Sequence, residues 1–108
     1  MNRRAHQLAD LILEIEAELR KADLWERGAP PAEALASTAP FCYDTLEFTQ
    51  GLQWVMLPRL VQMVEQEQPW PNKSEIAPLA EESFKKLDHD TDSLLKLMHE
   101  FDELINER

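Results

Sequence analysis

Cysteine is all but missing from this chain: Cys42 is the only one among 108 residues, so no internal disulfide can form and the composition suits a reducing compartment. Set between Phe41 and Tyr43, with no activating partner beside it, Cys42 reads as a small packed hydrophobe rather than a nucleophile. Glycine is nearly as scarce, with two residues. That leaves little material for a phosphate cradle, and no G-x-S-x-G, Walker-type or dinucleotide-binding loop is present. Long apolar runs are lacking too: none approaches the roughly 20 residues of a membrane span. The opening MNRRAHQLAD has no apolar core or cleavage site after its arginines, so no signal peptide is expected. A soluble, cytoplasmic protein is the expectation. Basic charge is the last shortage, since 11 basic residues face 21 acidic ones for a formal charge of −10. The pairs Arg3/Arg4, Arg20/Lys21 and Lys85/Lys86 each lie among acids, which argues against direct binding of nucleic acid or an anionic membrane.

What the chain has is apolar residues, 44 % of the total, enough for one real core and a single domain over residues 1–108. Leu8, Leu11, Ile12, Ile15 and Leu19 recur at helical spacing within residues 3–26, opposite Asp10, Glu14, Glu18 and Lys21. Gly28, followed by Pro30 and Pro31, is expected to end that helix. Residues 28–44 form a connector with room for one helical turn at Pro31–Leu35, and Phe41 and Tyr43 are expected to close one end of a bundle. Asp44 and Glu47 have capping-box spacing, which starts a second helix near Thr45. It runs to about Gln66, before Pro69, Trp70 and Pro71. Its apolar surface extends most of the way round, through Phe48, Leu52, Trp54, Val55, Met56, Leu57, Leu60, Val61, Met63 and Val64, which predicts the central helix. Ile76, Leu79, Ala80, Phe84 and Leu87 outline a third helix, with Pro78 tolerated in its first turn. Leu94, Leu97, Met98, Phe101, Leu104 and Ile105 outline a fourth, capped by Asp90, Thr91 or Asp92. With no segment of period two, the fold class is an all-α bundle of four main helices.

Pro58 sits inside the second helix. It removes the hydrogen bond to the Trp54 carbonyl and crowds it, at about 3 kcal/mol, so a kink is expected there. Arg59 projects near the middle of the apolar face, where an unpaired guanidinium would be very costly. Either the kink turns it outward or it meets a carboxylate, and an ion pair with Asp44, Asp102 or Glu103 is the favoured outcome.

Other constellations are thin. Asp88, Asp90 and Asp92 alternate like the start of a calcium loop, but Ser93 and His99 stand where that loop needs a glycine and a bidentate glutamate. His6, His89 and His99 form no ligand motif. No cofactor, metal site or catalytic set is indicated, and the chain reads as a non-enzyme. Trp25, Trp54 and Trp70 adjoin helix ends, the kink or a proline loop, and Trp70 is the one most expected at a surface.

The run STAPFCYDTLEFTQGLQWVMLPRL, residues 37–60, with QPWPNKSEIAP, residues 68–78, resembles the YqcC-like family of small bacterial proteins. The corresponding residues include Ser37, Thr38, Pro40, Phe41, Asp44, Thr45, Leu52, Gln53, Trp54, Pro58 and Arg59, then Gln68, Pro69, Ala77 and Pro78; Gly51 departs from the pattern. The resemblance implies a helical bundle and an uncharacterised function associated with the C-type tRNA pseudouridine synthase, and it brings no catalytic residues. The expectation is therefore an accessory protein with a protein partner. Arg59, Trp54, Phe41, Tyr43, Asp44 and Trp70 are its candidate contact residues. The alternative is a binder of small anionic ligands near Pro58, and homodimerisation through an apolar helix face is compatible with either.

Overall fold

The computed structural model describes residues 3–39, 42 and 44–107. Among them every regular element is helical. They are α1 (Arg3–Lys21), α2 (Ala32–Leu35), α3 (Phe48–Gly51), a π-helical turn (Leu52–Met56), α4 (Leu57–Glu65), α5 (Ile76–Phe84) and α6 (Asp92–Asn106). Residues 48–65 run on without a break as one rod, so the four main helices of the bundle are α1, this rod, α5 and α6.

The core is the sum of their apolar stripes. Leu8, Ile15 and Leu19 of α1 are fully buried, as is Met98 of α6, and Leu52, Met56, Leu57, Leu60 and Met63 of the rod join them. Each such side chain contributes about 1.5–3 kcal/mol relative to exposure. The closest backbone approaches are α1 with α6 and with α4, and α5 with α6. Phe48 of the rod also meets Phe84 of α5 edge to face, ring centroids 5.7 Å apart, so the four helices close on one another. The rod is thus contacted by α1 on one side and α5 on another, as expected of a central helix. Its surplus apolar residues, Trp54, Val55 and Val61, line a cleft against the connector instead of a helix.

Three boundaries also move: the end of α1, the start of the rod, and the end of α5, which stops at Phe84 and leaves Leu87 outside the helix. α1 stops at Lys21, well before Gly28, because Asp23 adopts φ 61° and closes the helix: Leu24 N–H donates to the Leu19 carbonyl at 2.8 Å and Asp23 N–H to that of Arg20 at 3.1 Å. Aspartate is among the few residues that tolerate this left-handed geometry. Leu24 is thereby folded back against the core. Glu67 closes the rod the same way, with φ 50° and Gln68 N–H on the Met63 carbonyl at 3.0 Å.

At its start the rod begins with Phe48, and Glu47 is the N-cap. The pair spaced as a cap is Glu47 and Gln50, one helical step beyond Asp44 and Glu47: Gln50 Oε1 accepts from Glu47 N–H at 2.8 Å. Asp44 is engaged elsewhere, accepting from Ser37 Oγ at 2.5 Å, while Thr45 Oγ1 donates to the Ala34 carbonyl at 2.7 Å. Both contacts hold residues 44 and 45 to the connector and out of the helix. The α6 start agrees with expectation, since Asp90 Oδ1 accepts from Asp92 N–H at 3.2 Å.

Candidate functional site

Pro58 has no N–H to give Trp54, and the turn just before it is widened. Leu57 N–H donates to the Leu52 carbonyl, five residues back rather than four. Such π turns concentrate at functional sites, and this one inserts an extra residue into the register. Everything downstream is rotated relative to a uniform projection.

Arg59 shows the effect. It is exposed, not central to the apolar face, and it belongs to none of the three ion pairs among the described residues. The expected ion pair is not formed with any of its three candidates. Asp44 holds Ser37, and Asp102 caps α5: its Oδ1 accepts from Ser74 Oγ at 2.5 Å and Ile76 N–H at 2.9 Å. Its Oδ2 accepts from Ala77 N–H at 2.8 Å. Glu103 lies on the outer faces of α1 and α6, beside Asp10 and Glu14.

The π turn also builds a polar knot in the buried side of the rod. Gln53, 5 % exposed, is the one buried polar residue among those described. Its Oε1 accepts from Glu26 N–H at 2.8 Å and its Nε2 donates to the Glu26 carbonyl at 2.7 Å, so both ends of the carboxamide are satisfied. The Glu26 carboxylate accepts from Trp54 Nε1 at 3.2 Å and from Gln50 Nε2 at 3.1 and 3.3 Å. These are neutral donors, and they fix successive turns of the rod to the loop after α1. The sequence marks Gln53 only as one of the residues shared with the YqcC-like pattern, not as a contact residue, and it does not mark Glu26. A glutamine between Leu52 and Trp54 is the same kind of signal as Arg59, a polar residue on an apolar face, and Glu26 had none.

A second pincer of the same design ties the loop before α5 to α6. Asn106 Oδ1 accepts from Ser74 N–H and its Nδ2 donates to the Ser74 carbonyl, each at 2.8 Å.

The candidate residues do not form one site. Trp54 and Arg59 share an open cleft of about 660 Å³, whose other wall is the connector at Leu35, Ser37, Thr38, Ala39 and Cys42. Cys42 is buried at φ 56°, with its thiol 3.6 Å from the Leu35 carbonyl, as a packed residue. Asp44 stands next to this wall through its bond to Ser37. Phe41 and Tyr43 lie outside the described residues. Trp70 is apart from them: it is partly buried against the core, with the Arg4 guanidinium 4.6 Å over its ring and Arg4 Nη2 donating to the Leu104 carbonyl at 2.8 Å. That is a seam joining both ends of the chain to the proline loop, and not a free surface ring. Trp25 is likewise covered by Arg20 at 4.6 Å.

On the other side of the rod, a groove runs between the π turn and α5. Its larger part, 570 Å³, is walled by Leu46, Phe48, Leu52, Met56, Ile76 and Leu79. A smaller part, 280 Å³, reaches Leu60, Met63 and Phe101 with Arg59 and Lys73 at its edge. Among the described residues no group of three His, Cys, Asp or Glu side chains is placed to hold a metal, and no helix is long and apolar enough to cross a membrane.

Comparison with known proteins fits this architecture. A family model described as "tRNA pseudouridine synthase C" matches residues 7–104. The chain is 33% identical over 93 residues to an uncharacterized protein of Haemophilus influenzae, covering 86% of this chain and 87% of that one. It is 37% identical over 67 residues to the uncharacterized protein YqcC of Escherichia coli, 62% of each chain. A third relative, named tRNA pseudouridine synthase C, from Pectobacterium carotovorum, is 37% identical over 68 residues that make up 63% of this chain and 18% of that protein. The solution NMR structure of YqcC from E. coli superposes with a TM-score of 0.82 at 29% identity, over 98% of this chain and 91% of that one. In sequence and in backbone alike, the chain belongs to the YqcC-like family.

Proposed function

We propose that this chain is a non-catalytic accessory protein that acts in the cytoplasm with a tRNA pseudouridine synthase, through contact with the enzyme and not with its RNA. The observation that carries the reading is the Pectobacterium relative, a protein named for that activity in which the YqcC-like segment is 18% of the chain. Two units joined in one chain are held at high effective concentration, and the same pair as separate chains needs an interface in its place. Charge supports contact with protein over RNA. The face where α1 meets α6 carries Asp10, Glu14, Glu100, Glu103 and Glu107, which repel a phosphate backbone.

The test is calorimetric titration of the purified chain with a purified synthase of that type, with and without tRNA. The reading expects saturable one-to-one binding to the enzyme and none to tRNA alone. Absence of binding at about 100 μM, where even a weak transient complex registers, overturns it.

A second reading is favoured by one observation: Arg59 has no carboxylate partner among the described residues and adjoins a 660 Å³ cleft, within the size range of ligand sites, about 300–1,000 Å³. In this reading a small anion lies beside Pro58 on Arg59. A screen of aromatic carboxylates in which none moves the Trp54 indole N–H resonance removes it.

A further inference from the structure

The groove between the rod and α5 has core side chains for its floor and one exposed large apolar residue, Leu79, at its mouth. Its two parts share Met56, Ile76 and Leu79. Leu79 is 59% exposed on a helix whose Ile76, Ala77, Ala80 and Phe84 are all buried. A single exposed leucine needs no explanation. Here it stands beside Met56 and Met63, core residues 3 % and 6 % exposed that line the groove and whose flexible side chains give way to an incoming apolar surface. From the shared residues one part reaches Leu46 and Phe48 and the other Leu60, Met63 and Phe101, an outline that suits an elongated occupant better than a compact ligand.

The rim states the chemistry of that occupant. Glu47 and Lys86 stand at one end as an acid and a base. At the other, Lys73 already has its acid, Glu75 at 2.8 Å, whereas Arg59 has none among the described residues. In a chain with 21 acidic residues against 11 basic, a guanidinium left unmatched beside an apolar floor is complementary to a carboxylate supplied from outside.

We propose that this groove docks an amphipathic helix of the partner protein, seating apolar anchors on Met56, Ile76 and Leu79 and setting a carboxylate against Arg59. The inference rests on the protein-partner reading above and assigns that partner's contact segment. It is helix-in-groove recognition, with the apolar face supplying affinity and the charge fixing orientation.

Two synthetic helical peptides of about sixteen residues, long enough to hold helicity, test it. Both carry the same leucine face; one has glutamates on its flanks and the other lysines. Each is titrated into isotope-labelled chain at about 0.15 M salt, where fields from distant charges are screened. The overall charge of −10 favours the lysine peptide, so the proposal makes the opposite prediction. The glutamate peptide binds about tenfold more tightly, a difference of about 1.4 kcal/mol, and shifts the signals of Met56, Ile76 and Leu79. Arg59→Glu reverses the preference and Leu79→Asp abolishes binding. Leu13→Asp, at an exposed leucine of α1, leaves it unchanged. All three sites are exposed, so thermal unfolding of the variants verifies that they fold. Tighter binding of the lysine peptide, shifts centred on Trp54 and Val61, or indifference to Leu79→Asp overturns the groove. So does a concentration-dependent dimer that Leu79→Asp dissolves, since a second copy then occupies the surface. The intact synthase separates this inference from the reading beneath it. Synthase binding untouched by Leu79→Asp refutes the groove and keeps the accessory role. A seated glutamate peptide with no synthase binding refutes the accessory role and keeps the groove.

Discussion

Replacing Gln53 by glutamate changes one atom group and turns the pincer on Glu26 into a pH-sensitive joint. In the native chain the carboxamide accepts from the Glu26 N–H and donates to the Glu26 carbonyl. A protonated glutamic acid reproduces both bonds, its C=O accepting and its O–H donating. An ionised one cannot, because it sets a carboxylate oxygen against a carbonyl at a residue only 5 % exposed. The folded state therefore holds the new carboxyl above its unfolded value of about 4.3. Linkage gives the sign. Little stability is lost below the unfolded pKa, and the loss grows by about 1.4 kcal/mol per pH unit above it until the folded group itself ionises. That is about 1 kcal/mol at about pH 5 and up to about 3.5 kcal/mol at about pH 7, relative to the native chain at the same pH. Urea unfolding followed by tryptophan fluorescence measures both. Gln53→Leu is the control: it leaves the same two backbone groups unpaired at every pH, costing about 2–3 kcal/mol with no slope. A Gln53→Glu penalty that is flat from about pH 5 to about pH 7, to within about 0.5 kcal/mol, would refute the assignment of the pincer.

Three further substitutions test the other contacts. Arg59→Ala is expected to change stability by no more than about 0.5 kcal/mol, since the side chain is exposed and outside the ion pairs among the described residues; a loss of several kcal/mol on urea unfolding would mean a partner there after all. Asp102→Ala removes the acceptor for the Ile76 and Ala77 N–H groups and is expected to cost about 2 kcal/mol, the upper end for an N-cap, with amide exchange at the start of α5 accelerating; unchanged exchange there contradicts the cap. Pro58→Ala restores one backbone donor, worth about 1 kcal/mol, but reclaiming it in α-register would pull Gln53 and Trp54 off Glu26, so the π turn is expected to persist. The Trp54 indole N–H resonance then stays in place, and its displacement would show that the proline, not the packing, sets the turn.

Much of this bundle is legible from apolar spacing alone. α6 spans the stripe from Leu94 to Ile105 and α5 begins at Ile76 as its stripe requires, though it stops at Phe84, one turn short of Leu87; these stripes are bounded by strong local signals. The rod is harder for two physical reasons. Asp44 with Glu47 and Glu47 with Gln50 have the same i, i+3 spacing, and the choice between them is made by Ser37 and Ala34, which hold residues 44 and 45 in the connector. Those are tertiary contacts that no local pattern encodes. A projection that centres Arg59 on the apolar face assumes 100° per residue throughout, and one inserted residue at Leu52–Met56 rotates the downstream side chains by about that angle. Proline at 58 marks the disturbance but not its form. Asp102 looks in sequence like one more solvated acid because the backbone it caps lies 25 and 26 residues away.

The two pincers share a cause that bears on function. The loops they hold lead into or out of proline: Glu26 precedes Pro30 and Pro31, and Ser74 follows Pro69 and Pro71. Proline offers no N–H, so such loops can satisfy few of their backbone groups by turning on themselves, and with a single cysteine no disulfide can fix them. A carboxamide on a helix supplies a donor and an acceptor at once, to one loop residue, which costs one side chain's freedom and orders the segment on both sides. Gln53 does this at the π turn, so the rod's outer faces are positioned before anything binds. Pre-organisation of that kind lowers the entropy lost on association. Two classes of variant should then separate cleanly. Changes at Gln53 or Asn106 lower stability and partner affinity together, because they release the walls of the surface. Changes at Arg59 or Leu79, which are exposed and hold nothing in place, lower affinity alone.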